Sequence, residues 1–418
     1  MAKPLTADIR PDRSALSLAA YEASGGYQGL KKALGMTPIQ VQQVVTAAGL
    51  KGRGGAGFPT GLKWSFVPMA GSAGTDPGGH RYLVVNADEK EPGTMKDRWL
   101  MEGNPHELIE GALIAAWAVQ ANVLYIFLRR EYTRCVQSIT KAIAEAREKT
   151  LTVNVEVRMH LSAGRYMCGE ESGLLNALEG RRATPRNKPP FPQVSGLWGR
   201  PTVVNNVETL CNVPHILREG ADWYKALSTS TDSGTKLYGV SGKVKNPGLW
   251  EMPMGTTIRE ILDLAGGMRD GHTLRGLIPG GASTDFLSPQ QLDVKLDFES
   301  VAKAGSRLGT GTMVVLDDHT CPVGMVLSLE RFFARESCGF CTPCREGLPW
   351  VARILEALEQ GKGEMRDLEI LEQHVPLLGP GRTFCALAPG AVEPLGSALK
   401  LFREDFEQHV RQKRCPWK

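Results

Sequence analysis

The chain predicts three folded parts in order: an α/β domain with a mainly parallel sheet, a small separate α+β module, and an all-α bundle at the C-terminal end. Three observations carry this. Strand-like and helix-like stretches alternate from residue 81 to 178. At Lys236 short strands and glycine pairs replace that alternation, and after Pro322 the apolar spacing becomes helical. The boundaries are drawn at 1–232, 233–321 and 322–418, in keeping with a prior of about 150 residues per domain.

The elements follow in chain order. Gln40–Ala48 reads as a short helix and Lys51–Lys63 as a glycine-dense loop. Arg81–Val85 is an apolar strand. Asn104-Pro105, with Glu107 in the first turn, opens a buried helix that breaks at Asn122 before a strand over Val123–Leu128. A helix runs on to Lys149, Leu151–His160 alternates as a strand does, and Glu170–Leu178 is helical. Arg181–Pro201, rich in proline and basic residues, is a loop. Leu237–Val240 and Gly248–Met252 flank a turn at Lys245–Gly248, and a helix follows over Thr257–Leu264. Helical spacing then marks Gly324–Arg335, Leu348–Gln360, Glu364–Val375 and Val392–Val410.

Composition narrows the class. Hydrophobic residues at 42% and charged residues at 22% exclude wholesale disorder. A net charge of only +4 implies no broad basic field and argues against a nucleic-acid partner. Met1–Arg13 lacks the apolar stretch of a secretory signal. Gly111–Leu128 is almost wholly apolar, but Gln120 and Asn122 interrupt it well short of a clean span of ~20 residues. The chain therefore reads as soluble and cytosolic, without a membrane span, and in a reducing compartment cysteines serve as ligands more often than as bridges.

Lys51–Trp64 holds a G-x-G-x-x-G match at Gly52, Gly54 and Gly57, but a helix, not a strand, precedes it, so the dinucleotide fingerprint is rejected. Two readings stay open: a structural glycine turn, or a loop whose backbone amides cradle an anion. In the second, Arg53 and Lys63 add positive charge, and Phe58, Trp64 and Phe66 offer flat surfaces for stacking. Asn86–Gly93 follows directly on a buried strand, the end at which open α/β sheets bind ligands. Glu170 and Glu171 sit where a loop enters a helix, so they serve either a ligand or the helix dipole. Arg181, Arg182, Arg186 and Lys188 put four cations beside Phe191, either as a solvated charge run or as a polyanion site, and Asn205, Asn206 and Thr209 follow with hydrogen-bonding groups. No Ser-His-Asp or H-E-x-x-H pattern supports a hydrolase.

Cys338-Gly339-Phe340-Cys341-Thr342-Pro343-Cys344 is the strongest signal. C-x-x-C-x-x-C brings three thiolates to one cluster, with Cys385 as the distant fourth ligand, and suits a 4Fe-4S cluster better than zinc. Cys135, Cys168, Cys211, Cys321 and Cys415 lack such spacing and read as bystanders. A phosphate loop beside an iron–sulfur cluster suggests electron transfer, with a flavin joining hydride to single-electron chemistry.

Taken together, Gly52–Gly61, Asn86–Glu89, Cys168–Glu171, Lys188–Pro192, Asn205–Thr209 and Glu336–Cys344 resemble the family of NADH- and FMN-binding subunits of respiratory complex I, from about residue 25 to 410. The resemblance implies an FMN/NADH domain, a ubiquitin-like β-grasp module and a four-helix 4Fe-4S domain. It implies oxidation of NADH with hydride transfer to FMN, then single-electron transfer to the cluster and on toward quinone. Gly52, Arg53, Gly54, Gly55, Ala56, Gly57, Lys63, Asn86, Asp88, Glu89, Gly169, Glu170, Asn205, Asn206 and Thr209 would line FMN. Phe58, Phe66 and Phe191 would stack on NADH, with Lys188 and the catalytic-site carboxylates Glu91 and Glu171 as polar contacts. Cys338, Cys341, Cys344 and Cys385 would hold the cluster. It also implies a small thioredoxin-like 2Fe-2S partner, a larger iron–sulfur partner, and a place at the inner face of the plasma membrane through them. The same module serves as the diaphorase part of NAD-linked hydrogenases and formate dehydrogenases. Those chains often carry extensions that are not expected here, because no cysteine precedes Cys135 and three residues follow Cys415. A non-enzymatic iron–sulfur scaffold that binds nucleotide would leave the carboxylates unexplained.

Overall fold

The computed structural model describes residues 2–71, 79–152 and 154–418. Val153, inside the strand expected over Leu151–His160, lies outside the described residues. The chain divides into two compact units. The first comprises residues up to Lys90, Met95–Leu237 and Glu251–Gly255, and the second Glu91–Thr94, Tyr238–Trp250 and Thr256–Lys418.

The first unit is built on a parallel sheet of β1 (Tyr82–Ala87), β2 (Val123–Arg129), β3 (Glu156–Ser162) and β4 (Thr202–Asn206), in the order β3-β2-β1-β4. β1 and β2 are near-continuous apolar runs because both of their faces are covered. On one face Val84, Phe127 and Val204 meet Leu174 and Leu175 of the helix Glu171–Leu178. The helices Pro105–Ala118 and Val207–Glu219 pack against the sheet and each other, so closely that a Cβ on Gly111 would lie 2.0 Å from the Leu210 carbonyl oxygen. Removing water from each such Leu, Val or Phe side chain stabilises the fold by about 1.5–3 kcal/mol.

The apolar stretch Gly111–Leu128 resolves as expected, into the end of the helix Pro105–Ala118, a turn, and β2. Among the described residues, no helix is long and apolar enough to cross a membrane. The Pro105–Ala118 helix even buries a carboxylate. Glu110 accepts from the Tyr21 hydroxyl and from the Tyr27 and Leu30 amides, which satisfies it away from water.

The chain steps outward from β1 to β2 to β3, then returns to the other side of β1 for β4. The carboxyl ends of β1 and β4 therefore flank a topological switch point, where open α/β sheets leave a crevice. Neither β4 nor the helix Val207–Glu219 was expected, because the basic, proline-rich stretch before them obscures a strand of only five residues.

A second four-stranded sheet has the order β6-β5-β8-β7, from β5 (Thr235–Gly242), β6 (Gly248–Pro253), β7 (Leu274–Ile278) and β8 (Thr312–Asp317). β8 runs parallel to β5 and antiparallel to β7. The helix Ile258–Leu264 starts on a capping box in which Thr257 and Glu260 satisfy each other's backbone amides. β7 and β8 escape a sequence reading because glycine-rich turns separate them from their partners. The C-terminal region is helical over Pro322–Glu336, Thr342–Glu359, Met365–Leu378, Leu387–Leu401 and Arg403–Gln412. The single helix expected over Val392–Val410 is two, interrupted at Phe402 (φ −120°, ψ 27°). Thr342–Glu359 starts six residues earlier than expected, inside the cysteine motif.

Candidate functional site

Groups at the switch point come from four stretches far apart in sequence. From β1 come Asn86, Asp88 and Glu89. Asp88 accepts from Ser162 Oγ at 2.8 Å at the end of β3, and burial raises its pKa against the pull of Lys90. The Glu89 carboxylate accepts from the Asp97 and Arg98 amides at 3.0 and 3.2 Å, capping the helix Lys96–Gly103. Burial and the neighbouring Asp97 push its pKa up. From β4 come Asn205, whose Oδ1 accepts from Trp64 Nε1 at 2.8 Å, and Asn206, which caps the helix Val207–Glu219 and donates to Asp97.

The glycine loop closes on itself through Gly52 N–H to the Phe58 carbonyl at 2.9 Å. It is tied to the switch point by the Arg53 amide, which donates to Thr209 Oγ1 at 2.8 Å, and by Lys63 Nζ, which donates to the Val204 carbonyl at 2.9 Å. Gly55 (φ +127°) and Gly57 (φ +66°) adopt backbone conformations that side chains disfavour. A Cβ on Gly54 would lie 3.1 Å from Asn206 Cβ. Among the described residues, no acceptor takes the amides of Gly54, Gly55, Ala56 or Gly57. A solvent-facing row of unclaimed N–H groups fits the phosphate of a flavin mononucleotide.

Two expectations change here. The Arg53 side chain does not face the loop's solvent side. It is 1% exposed and donates to the Tyr224 hydroxyl and the Ser233 and Thr235 carbonyls, so it anchors the loop from beneath. Trp64 is no stacking surface, since its ring is fully buried. Phe58 and Phe66 remain as an exposed aromatic pair, with ring centroids 6.3 Å apart, and Phe191 is 53% exposed.

Glu170 caps the helix Glu171–Leu178 by accepting from Gly173 N–H at 2.8 Å, so the capping reading holds for it. Glu171 bridges Lys63 (2.7 Å) and Lys188 (3.2 Å). Burial works against its charge, but Lys63 and then Lys188 outweigh it and hold its pKa down. The basic loop is less available than its composition suggested. Arg186 is committed to Glu179, Asn176 and the Gly196 carbonyl, and Lys188 to Glu170 and Glu171, while Arg181 and Arg182 are exposed. Glu91 belongs to the second unit, where it accepts from the Ser283 amide at 2.7 Å.

Beneath the loop lies a buried network that no motif signalled. Glu208 accepts from Lys96 Nζ (3.0 Å), Lys236 Nζ (3.3 Å) and the Leu237 amide (2.8 Å). Burial lowers the Lys236 pKa to about 8 despite Glu208. Lysines are rarely buried unless paired, but nothing in local sequence marks which ones are.

In the second unit the four expected thiols come together. Cys338 and Cys341 lie in the turn after Pro322–Glu336, Cys344 opens the next helix, and Cys385 precedes Leu387–Leu401. Burial raises the Cys344 pKa to about 11, and Cys341, Cys385 and Cys338 crowd it further. Phe340 and Phe384, with centroids 4.8 Å apart, fix the two segments to each other. Four converging cysteines are the donor set a 4Fe-4S cluster takes. Cys135, Cys168 and Cys211 are buried, while Cys321 and Cys415 lie in one group with Glu359 and His409.

Known proteins match this arrangement. The Nuo51 FMN-binding domain matches residues 45–215, the SLBB domain 237–286, and the NADH-ubiquinone oxidoreductase-F iron-sulfur binding region 324–409. The chain is 57% identical over 419 residues to the F subunit of the NADH-quinone oxidoreductase of Escherichia coli (strain K12), covering 98% of this chain and 93% of that one. It is 46% identical to the corresponding F subunit of Streptomyces coelicolor, covering 96% and 90% respectively. A crystal structure of an NAD+-reducing NiFe-hydrogenase in the H2-reduced state superposes with a TM-score of 0.84 at 37% identity, over 97% of this chain and 68% of that one.

Proposed function

The chain belongs to the family of NADH-quinone oxidoreductase F subunits, and from that premise we infer how its own residues carry the activity. It is an NADH dehydrogenase module that uses FMN and a 4Fe-4S cluster. When bound, FMN takes up the two electrons of a hydride and gives them up singly. The residue assignments are our proposal. The amides of Gly54, Gly55, Ala56 and Gly57 would hold the phosphate, with Lys63 adding charge. Asn86, Asp88, Gly169, Asn205 and Asn206 would border the rest of the flavin. Arg53, Glu89, Glu170 and Thr209 would act mainly by holding the loops in place.

Phe58, Phe66 and Phe191 would stack on NADH, and Lys188, Glu171 and Glu91 would make its polar contacts. No side chain needs to move a proton for hydride transfer, so these groups orient the nicotinamide and exclude water. Cys338, Cys341, Cys344 and Cys385 would hold the cluster. The observation that supports this reading most is the convergence of the glycine loop with Asn86, Asp88, Asn205 and Asn206 at the switch point, in a chain whose four cysteines also converge.

We place the chain in an assembly with iron–sulfur partners, one a small thioredoxin-like 2Fe-2S protein and one a larger iron–sulfur protein, at the inner face of the plasma membrane. We keep the division at 1–232, 233–321 and 322–418, with a β-grasp module in the middle and a four-helix cluster domain at the end. The hydrogenase likeness supports a second reading, a diaphorase component of such an enzyme. Co-purification from the native host separates the two, since a hydrogenase partner in place of quinone-reducing ones overturns the first. The activity itself is tested by anaerobic absorption of the FMN-loaded chain, where NADH bleaches the flavin band; an unchanged band contradicts the reading.

A further inference from the structure

We propose that Cys321, Glu359, His409 and Cys415 form a second metal site, a closed zinc centre in the helical region. The four donor atoms lie within 4.8 Å of one another. Cys321 Sγ is 3.0 Å from Glu359 Oε1 and 3.4 Å from His409 Nε2, and that nitrogen is 3.2 Å from Glu359 Oε1. A tetrahedral zinc, with bonds of ~2.3 Å to sulfur and ~2.0–2.2 Å to nitrogen or oxygen, sets its ligand atoms about 3.4–3.6 Å apart. The three spacings among Cys321, Glu359 and His409 need an opening of about 0.1–0.6 Å, and Cys415 Sγ lies within 4.8 Å of the other donors.

The surroundings fit the same reading. His409 Nδ1 lies 2.7 Å from the Asp405 carbonyl. A carbonyl only accepts, so Nδ1 carries a proton and Nε2 is the ring nitrogen that faces the cluster, 3.2 Å from Glu359 Oε1. This is the arrangement that orients a metal-binding histidine. Lys418 Nζ holds Glu359 Oε2 at 2.6 Å, and the Trp417 ring stacks on His409. His409 is fully buried, Cys415 is 3% exposed and Cys321 and Glu359 are partly exposed; four protein atoms fill the tetrahedron, so no position is left for substrate. Two thiolates, an imidazole and a carboxylate favour zinc over calcium or magnesium. Binding releases the two thiol protons, and the single negative charge left on the centre is met by Lys418.

The site is distinct from the 4Fe-4S ligands. Cys321 caps the start of the helix Pro322–Glu336 and Glu359 ends Thr342–Glu359, whereas Cys338–Cys344 lie in the turn that joins these helices. A helix of 15 residues is about 22 Å long, so zinc would fasten the open end of the hairpin to the helix Arg403–Gln412 and the tail.

The test is metal content of the full chain, purified without chelators. We expect about one zinc beside the cluster iron, and at least a tenfold fall in zinc for Cys415→Ser and His409→Ala with iron and FMN retained. Co2+ in place of zinc in the unaltered chain gives thiolate-to-metal charge-transfer bands, which needs no variant to fold. Lys418→Ala keeps all four ligands and weakens retention of Zn2+ against a chelator about tenfold. An unaltered chain that takes up neither Zn2+ nor Co2+, zinc retained in Cys415→Ser, or a Cys321–Cys415 disulfide in freshly purified protein overturns the proposal.

Discussion

The two units prepare for their ligands in opposite ways. At the switch point the conspicuous side chains are committed to one another. Arg53 holds Tyr224 and two carbonyls, Glu89 caps a helix, Trp64 holds Asn205, and Asn206 caps another helix. What they leave to a ligand is backbone N–H, exposed rings and a few amides. In the second unit the cysteines that we propose as cluster ligands lie on helix ends and turns. A substitution at the switch point should therefore damage fold and cofactor retention together, while one at a cysteine should remove a metal group and spare the flavin.

The largest effect expected within the first unit is that of Arg53→Ala. It strands a buried hydroxyl and two carbonyls, each costing about 1–3 kcal/mol. The FMN-loaded variant should lose flavin on gel filtration and unfold at about 3 kcal/mol less stability. Arg53→Lys should rescue part of this, because all three acceptors meet the single nitrogen Nη2 and an ammonium carries three N–H donors. Full flavin retention with unchanged stability in Arg53→Ala would show that Arg53 does not anchor the loop.

A smaller effect of opposite sign is expected in the helical region. Glu330 is fully buried and, among the described residues, its carboxyl oxygens have no hydrogen-bond partner, so burial raises its pKa well above 4.5. Folding then takes up a proton, and stability falls as pH rises from about 4.5 through the raised folded value. Glu330→Leu should remove that slope and raise stability at pH 7 by about 1–3 kcal/mol in denaturant unfolding. An unchanged slope would show that Glu330 is solvated.

The smallest effect concerns Glu171. Its folded pKa lies below the 4.5 of a free glutamate, so the stability it contributes is complete above about pH 4.5 and is lost as pH falls through the folded value. Its pairs with Lys63 and Lys188 are partly exposed, so Glu171→Gln should cost only about 1 kcal/mol at pH 7 and progressively less as pH falls below 4.5. A pH-independent difference would mean that packing, not charge, is what Glu171 supplies.

The same contrast explains what was legible in sequence. Three of four thiols fall within Cys338–Cys344, and local spacing alone exposes them. The buried helix Pro105–Ala118 announced itself through Asn104, Pro105 and Glu107. The switch-point residues were legible one motif at a time, but only the strand order β3-β2-β1-β4 brings them together. Lys96, Glu208, Tyr224 and Lys236 carried no signal, because a buried charge network is defined by partners remote in sequence. The grouping of Cys321 and Cys415 carried no signal for the same reason: Glu359 and His409 are remote from both Cys321 and each other in sequence.

The central claim is that one unit reduces flavin and the other carries electrons onward from a cluster held by four cysteines. Cys341→Ser in the FMN-loaded chain, titrated anaerobically with NADH and followed by absorption and electron paramagnetic resonance, tests it most directly. The account predicts flavin bleaching as in the unaltered chain, a lost or altered cluster signal, and electron exit to a one-electron acceptor slowed at least about tenfold. A folded, FMN-loaded Cys341→Ser chain whose flavin no longer bleaches would contradict it.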